Sequence, residues 1–158
     1  MYGIGDRIVY PLYGAGTVIS IEERDILGEK KKYYFLEILN ENAPVMLPVD
    51  TCEKIGVRPL MSKSEIEEIF SYIASYDDIT EENWNKTYRI NMDKLKSGDL
   101  KQVGEVLKYL IKRETSKHLS AGEKKMLNHA KQILYSEIIF ISDISYDEAD
   151  SIVRELIV

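Results

Sequence analysis

The spacing of apolar positions changes character near residue 60. Upstream, β-branched and aromatic residues partly alternate with polar ones and stop at glycine, proline and asparagine, a pattern typical of short strands joined by tight turns. The predicted strands cover residues 6–10, 17–22, 33–39 and 45–49. Four short strands predict a small twisted antiparallel β-barrel, whose edge strands are places where a partner can add a strand.

Downstream, apolar residues recur every three to four positions, which predicts amphipathic helices. Each predicted helix follows a residue able to cap its N-terminus, in most cases as part of a capping box. The predicted caps are Ser64 with Glu67, Thr80, Asp99, Ser120 with Glu123, and Ser145 with Glu148. The helices predict a compact bundle. The fold class is therefore α+β with two domains, residues 1–57 and residues 58–158.

Charge is segregated along the chain. The whole protein has 21 Lys and Arg against 27 Asp and Glu, a net charge of -6. Residues 83–132 reverse this balance with twelve basic and five acidic side chains, whereas residues 64–82 hold seven acidic and no basic ones. Trp84, the one tryptophan, stands at the start of the basic stretch. A basic block beside an aromatic is a footprint for nucleic acid, although a solvated helix face, with Trp84 in the bundle core, gives the same pattern.

Composition excludes several classes of protein. Of 158 residues, 44% are hydrophobic and 30% charged, as in a soluble globular protein. The first residues lack the features of a signal peptide, and no apolar run reaches the ~20 residues that span a bilayer. The single Cys52 cannot form an intrachain disulfide and is predicted to be a small half-buried side chain at a strand end. These features predict a cytoplasmic location.

Catalytic and metal-binding patterns are weak. Gly14-Ala15-Gly16 lacks the third glycine of a dinucleotide fingerprint, because Ile19 stands in its place, and a hairpin turn explains the string better. His118 and His129 have no cysteine partner or zinc-site spacing, which favours helix-surface histidines. The acidic residues of 64–82 fit helix N-termini. The sequence predicts a binding protein, not an enzyme, with no cofactor and no metal.

Five strings, taken in order, carry a resemblance to a known family. They are Val9-Tyr10-Pro11-Leu12-Tyr13-Gly14-Ala15-Gly16-Thr17-Val18, Gly56-Val57-Arg58, Asn83-Trp84, Leu95-Lys96-Ser97-Gly98-Asp99 and Leu119-Ser120-Ala121-Gly122-Glu123-Lys124. Over nearly its whole length the chain resembles the CarD/CdnL family of bacterial transcription regulators. The resemblance implies a Tudor- or SH3-like N-terminal domain that docks on the β subunit of RNA polymerase, and a helical C-terminal domain that touches promoter DNA.

For the helical domain, the resemblance implies contact with DNA at the upstream edge of the transcription bubble. Trp84 matches the family's tryptophan, which wedges into the minor groove, and Lys86, Arg89 and Lys124 match basic contact positions. Thr87 stands where related members often have a second basic residue. An apolar wedge where duplex meets single strand disfavours reannealing, and contacts from Lys or Arg to phosphate hold it there without reading sequence.

For the polymerase-facing surface, the resemblance implies contacts from Arg24 and the nearby Ile26, with Arg24 pairing an acidic surface of the polymerase. Met46 falls where some members have a second arginine. From the residues alone, Arg24 as a solvated hairpin residue explains the sequence equally well.

The predicted function is that of a monomeric transcription regulator that binds the polymerase β subunit and stabilises the open promoter complex, associated with the nucleoid through the polymerase. The alternative is a protein–protein adaptor that docks on RNA polymerase and has no direct role on DNA.

Overall fold

The structure is a computed structural model that describes residues 1–77 and 83–157, and at position 84 it describes the backbone alone. The strands are β1 (Arg7–Tyr10), β2 (Gly14–Ile26), β3 (Glu29–Ile38), β4 (Val45–Pro48) and β5 (Arg58–Pro59). The helices are α1 (Cys52–Ile55), α2 (Lys63–Ser75), α3 (Trp84–Lys96), α4 (Leu100–Ser116), α5 (Ala121–Ser142) and α6 (Tyr146–Ile157). An antiparallel sheet followed by helices confirms the α+β prediction.

The sheet is open and does not close into the predicted barrel. Its strand order is β4-β3-β2-β1-β5, so β4 and β5 are its edges. The last strand, β5, is two residues long and pairs with β1 at Ile8 and Val9 before the chain leaves for α2. A closed barrel needs every strand to have two neighbours, and so short a strand does not extend the sheet as far as β4.

Strands β2 and β3 form a longer ribbon than residues 17–22 and 33–39 predict. Pairing continues to a two-residue turn at Leu27-Gly28, where φ is 53° and 81°. Two positive φ angles in a two-residue turn suit the right-handed twist of the strands. Opposite charges face each other across the ribbon at Glu23 with Lys32 and at Asp25 with Lys30. These pairs stabilise the outer end of the ribbon, where residues 23–30 are exposed and apolar alternation gives no signal.

The predicted caps of the last three helices are confirmed. The Asp99 side chain accepts the N–H of Lys101 at 2.9 Å at the start of α4. Reciprocal capping boxes join Ser120 with Glu123 before α5, and Ser145 with Glu148 before α6. Each box satisfies two backbone N–H groups that a helix start leaves without an intrahelical partner.

The predicted cap of α2 is wrong by two residues. Ser62 and Glu65 form the capping box, instead of Ser64 and Glu67. The cause is a tertiary contact, because the N–H of Met61 donates to the Glu137 carboxylate at 2.7 Å and fixes the chain just before the helix. Overlapping Ser-x-x-Glu patterns are equivalent in sequence, so this contact decides between them.

Helix α3 begins at Trp84 behind Asn83, whose side chain accepts the N–H of Lys86 at 3.2 Å. The predicted cap Thr80 lies outside the described residues. The helix ends at Lys96, just before Ser97 and Gly98, and Gly98 has a φ of 75°. No helix among the described residues is long and apolar enough to cross a membrane.

Buried apolar side chains form two clusters, one in the sheet and one in the bundle. Helix α5 joins them, because it lies directly against the start of β2. Ser136 Oγ on α5 accepts the N–H of Ala15 at 2.8 Å. A Cβ built on Gly14 would lie 2.4 Å from that Oγ and 3.0 Å from the carbonyl oxygen of Gln132. Gly14 also has a φ of 100°, which residues with a Cβ rarely adopt. The close contact with α5 and the backbone conformation therefore each require glycine here.

A buried ion pair adds to the same junction. The carboxylate of Glu137, whose side chain is 0% exposed, accepts two hydrogen bonds from the Arg58 guanidinium, both of 2.8 Å. The Arg7 guanidinium lies 4.4 Å from the ring centroid of Phe140, a further contact between β1 and α5. Sheet and bundle therefore have a defined relative placement. The division into domains at residue 57 stays a prediction, and β5 lies one residue beyond it.

We expect Gly14→Ala to lower the free energy of unfolding by about 3 kcal/mol, as measured by chemical denaturation. A positive φ costs a residue with a Cβ roughly 1–2 kcal/mol, and the contact with α5 backbone adds about 1–3 kcal/mol. Gly28→Ala is the matched control, because Gly28 has a φ of 81° and nothing within 4 Å of its added Cβ. Equal losses in the two variants would contradict the close approach of β2 to α5.

Candidate interaction surfaces

The three residues predicted to face the polymerase lie on one side of the sheet. Arg24 and Ile26 are two residues apart on β2 and therefore point to the same face. The Arg24 guanidinium lies 5.2 Å from the ring centroid of Phe35 on β3. Phe35 is in turn paired with Met46 on β4. We call Arg24, Ile26, Phe35 and Met46 the outer sheet face.

The outer sheet face combines exposed apolar side chains with one charged side chain, Arg24, whose ion pair is readily exchanged. Ile26 and Met46 are exposed, and Phe35 is half-buried between its neighbours. Arg24 pairs with Glu22 at 2.9 Å, and both side chains are about half exposed, so exchanging that partner for another carboxylate costs little. Sequence reasoning missed Phe35, although its place in the alternation of β3 was a usable signal.

On α3, the predicted basic contacts lie on the solvent side. Lys86 and Arg89 are exposed and three residues apart, so they share a helix face. Thr87 and Asn91 lie on the opposite side and are 8% and 5% exposed. The position where related members often have a second basic residue is thus turned towards the bundle in this protein. The outer face of α3 keeps its basic side chains.

The start of α5 lies beside α3, which brings the third predicted basic residue, Lys124, near the same region. Gly122 marks the contact between the two helices, because a Cβ added there would lie at van der Waals distance, 3.5 Å, from the hydroxyl oxygen of Tyr88. Glu123 is buried and binds Arg113 at 2.6 Å, while Lys124 is exposed. We call Lys86, Arg89 and Lys124 the basic helix ends. Trp84 opens α3 beside them, and its side chain lies outside what the structure describes.

Catalytic features do not assemble among residues 1–77 and 83–157. This part of the chain has no group of three or more His, Cys, Asp or Glu side chains that could hold a metal ion. Gly14 opens β2 opposite Tyr10, which confirms the predicted hairpin. His118 is exposed, whereas His129 is half-buried with Nε2 2.5 Å from the carbonyl oxygen of Leu12. Burial, together with nearby Asp50, raises the pKa of the Cys52 thiol, so it stays protonated and unreactive at neutral pH.

Comparison with known proteins agrees with this two-part arrangement. A family model for the CarD-like/TRCF RID domain matches residues 2–61, and a model for the CarD C-terminal domain matches residues 68–154. A protein of Bacillus subtilis (strain 168) described as "Putative transcription factor YdeB" is 34% identical over 151 residues, which cover 96% of this chain and 99% of that protein.

These matches define the class of protein as a transcription regulator that acts through interaction with RNA polymerase. The chain belongs to the CarD family.

Proposed function

We propose that this protein docks on the β subunit of RNA polymerase through residues 1–57 and stabilises the open promoter complex through residues 58–158. The observation that carries the proposal is the arrangement of two different surfaces on one frame. The outer sheet face offers apolar side chains and Arg24, the basic helix ends offer Lys86, Arg89 and Lys124, and the Arg58–Glu137 pair joins the sheet to the bundle.

On DNA, the basic helix ends bind phosphate and Trp84 acts as a wedge. Phosphate contacts fix the position of a protein on a duplex without reading its sequence. An apolar side chain inserted at a base step costs stacking energy, which is smallest where the duplex already opens. In the proposed complex Trp84, the first residue of α3, enters such a step, while Lys86 and Arg89, within the next turn and a half, hold the DNA backbone.

On the polymerase, the outer sheet face supplies the contact, and β4 is the adjoining edge strand of the sheet. Arg24 exchanges Glu22 for a carboxylate of the β subunit, while Ile26, Phe35 and Met46 bury apolar surface around it. Charge pairs at the rim of such an interface chiefly steer association and fix register. Met46 in place of a second arginine makes this interface more apolar. The proposed regulator is a cytoplasmic monomer that reaches DNA together with the polymerase.

We expect Trp84→Ala to shorten the lifetime of the open complex by about tenfold, because a well-placed aromatic anchor contributes more than ~1.4 kcal/mol. The measurement is the decay of heparin-resistant open complexes with saturating wild-type or variant protein. Trp84→Phe keeps an apolar ring and should retain part of the effect. Equal lifetimes for wild type and Trp84→Ala would rule out the wedge. No measurable retention of the wild-type protein on fork DNA would favour the adaptor function.

Lys86→Ala and Arg89→Ala should each weaken binding to unrelated fork sequences alike. Each should also lower the slope of log affinity against log salt by about one unit per lost phosphate contact. Fluorescence anisotropy of labelled fork DNA at several salt concentrations measures both quantities. Lys63→Ala, which removes an exposed lysine from α2, is the control and should leave the slope unchanged. Identical slopes for all three variants would remove Lys86 and Arg89 from the DNA surface.

Arg24→Glu should weaken binding to the isolated β subunit by about tenfold or more, since it replaces an attractive pair across the interface by like charges. Lys32→Glu is the matched control. It reverses a charge on the same ribbon, at a position whose side chain points to the opposite face of the sheet from Arg24. Biolayer interferometry gives both affinities. If the two variants lose affinity equally, net charge and not the outer sheet face governs docking.

A further inference from the structure

The C-terminus of α2 is capped by a buried lysine from another helix. Lys108 on α4 is 4% exposed, and its Nζ donates to the carbonyl oxygens of Ile73 at 2.7 Å, Ala74 at 3.1 Å and Tyr76 at 2.6 Å. Three acceptors match the three N–H groups of an ammonium ion. The last turn of α2 has no basic residue of its own, and its C-cap Tyr76 is extended, with φ -64° and ψ 127°.

The electrostatics explain why a lysine is stable in this buried place. The last four carbonyl groups of a helix have no intrahelical partner and carry the negative end of the helix dipole. A buried ammonium ion without partners is costly, whereas one surrounded by such carbonyls is satisfied. Lys108 therefore fixes the point where the chain leaves α2.

Gly104, one turn before Lys108 on α4, permits the close approach that this contact needs. A Cβ added to Gly104 would lie 2.5 Å from Cγ1 of Ile73, whose side chain is fully buried. Ile73 is also the residue whose carbonyl oxygen Lys108 binds. Gly104 thus lets the end of α2 pack closely against α4, and Lys108 binds the carbonyl groups at that end.

The same region holds α3. Lys94 on α3 binds Glu105 on α4 at 2.8 Å, and its Nζ lies 5.8 Å from the ring centroid of Tyr76. Tyr72 on α2 donates its hydroxyl to the other oxygen of Glu105 at 2.5 Å, and this hydrogen bond raises the pKa of Tyr72 to about 12. The end of α2 and the C-terminal half of α3 are therefore fixed to neighbouring turns of α4.

Only seven residues separate Tyr76 from Trp84 along the chain. Lys108 fixes the chain at the start of this connection, and the Lys94–Glu105 pair fixes the C-terminal half of α3, the helix that Trp84 opens. We propose that Lys108 is a positioning residue for Trp84, acting through the carbonyl groups at the end of α2. The inference rests on the proposed role of Trp84, but it is testable apart from that role.

The test uses Lys108→Met, which keeps an unbranched side chain only one heavy atom shorter and removes its three donors. Because Trp84 is the one tryptophan among the 158 residues, its fluorescence reports its surroundings directly in the native protein. We expect a shifted emission maximum and a changed acrylamide quenching constant. We also expect an open complex that decays about tenfold faster, equivalent to a loss of ~1.4 kcal/mol, with unchanged affinity for the β subunit.

Lys131→Met is the matched control. Lys131 is another buried lysine, which pairs with Asp150 of α6 at 3.4 Å. Its loss should lower thermal stability while leaving the emission and quenching of Trp84 unchanged. A Lys108→Met protein that is folded by circular dichroism, with wild-type Trp84 fluorescence and open-complex lifetime, would overturn the proposal.

If Lys108→Met does not fold, Gly104→Ala provides the test, because it pushes α4 away from Ile73 and keeps the charge. The same changes in Trp84 fluorescence are then expected, and wild-type fluorescence would overturn the proposal. Altered fluorescence in Lys108→Met, combined with no effect of Trp84→Ala on open-complex lifetime, would uphold positioning by Lys108 and refute the wedge.

Discussion

The hydrogen bonds of the buried Glu137 carboxylate are the interaction on which the relative placement of sheet and bundle depends. This carboxylate lies on α5, yet its partners are the Arg58 guanidinium and the N–H of Met61, in the stretch that leaves the sheet for α2. Removing a charge from water costs several kcal/mol unless its partners are in place. Only one arrangement of sheet, connection and bundle satisfies all three bonds, so this contact makes the arrangement specific. Ser136 on the same turn adds the bond to Ala15.

That frame supports a helix with little apolar anchorage of its own. Among the described side chains of α3, the buried ones are Thr87, Asn91 and Leu95. A helix with so much polar surface gains little from hydrophobic burial and depends on specific contacts. Leu95 and the Lys94–Glu105 pair secure its C-terminal half, while Tyr88 against Gly122 secures the half nearer Trp84. The exposed face of α3 therefore carries charged side chains such as Lys86 and Arg89, as expected for the proposed contact with phosphate.

Sequence patterns predicted features that depend only on neighbouring residues, such as helix caps. They failed where a residue distant in the sequence determines the structure. Asp99, Ser120 and Ser145 cap helices because capping needs nothing beyond the adjacent turn. Ser62 displaces Ser64 because Glu137 holds Met61, 76 residues away. The open sheet was missed because periodicity predicts strands and not how many neighbours each acquires. Lys108 looks like any lysine in a helix, and only its place one turn after Gly104 on the buried side of α4 distinguishes it. The two predicted surfaces came from the family resemblance, and the sheet register shows that Arg24, Ile26 and Met46 lie on one face of the sheet.

The net negative charge of the whole chain is consistent with the proposal that its basic surface binds DNA only when the polymerase brings it to the promoter. At a net charge of -6, the free protein is repelled by DNA at long range, so a small basic face gives weak binding alone. In the proposed function, docking on the polymerase through the sheet would present this face to promoter DNA at an effective concentration that reaches the millimolar range for a short connection. Weak, sequence-independent contacts would then be sufficient at the bubble and insufficient elsewhere. A rigid junction would add to this advantage, because a fixed angle between sheet and bundle would restrict α3 to one region of the proposed complex. Segregated charge and the Glu137 junction are, on this view, two parts of a single mechanism.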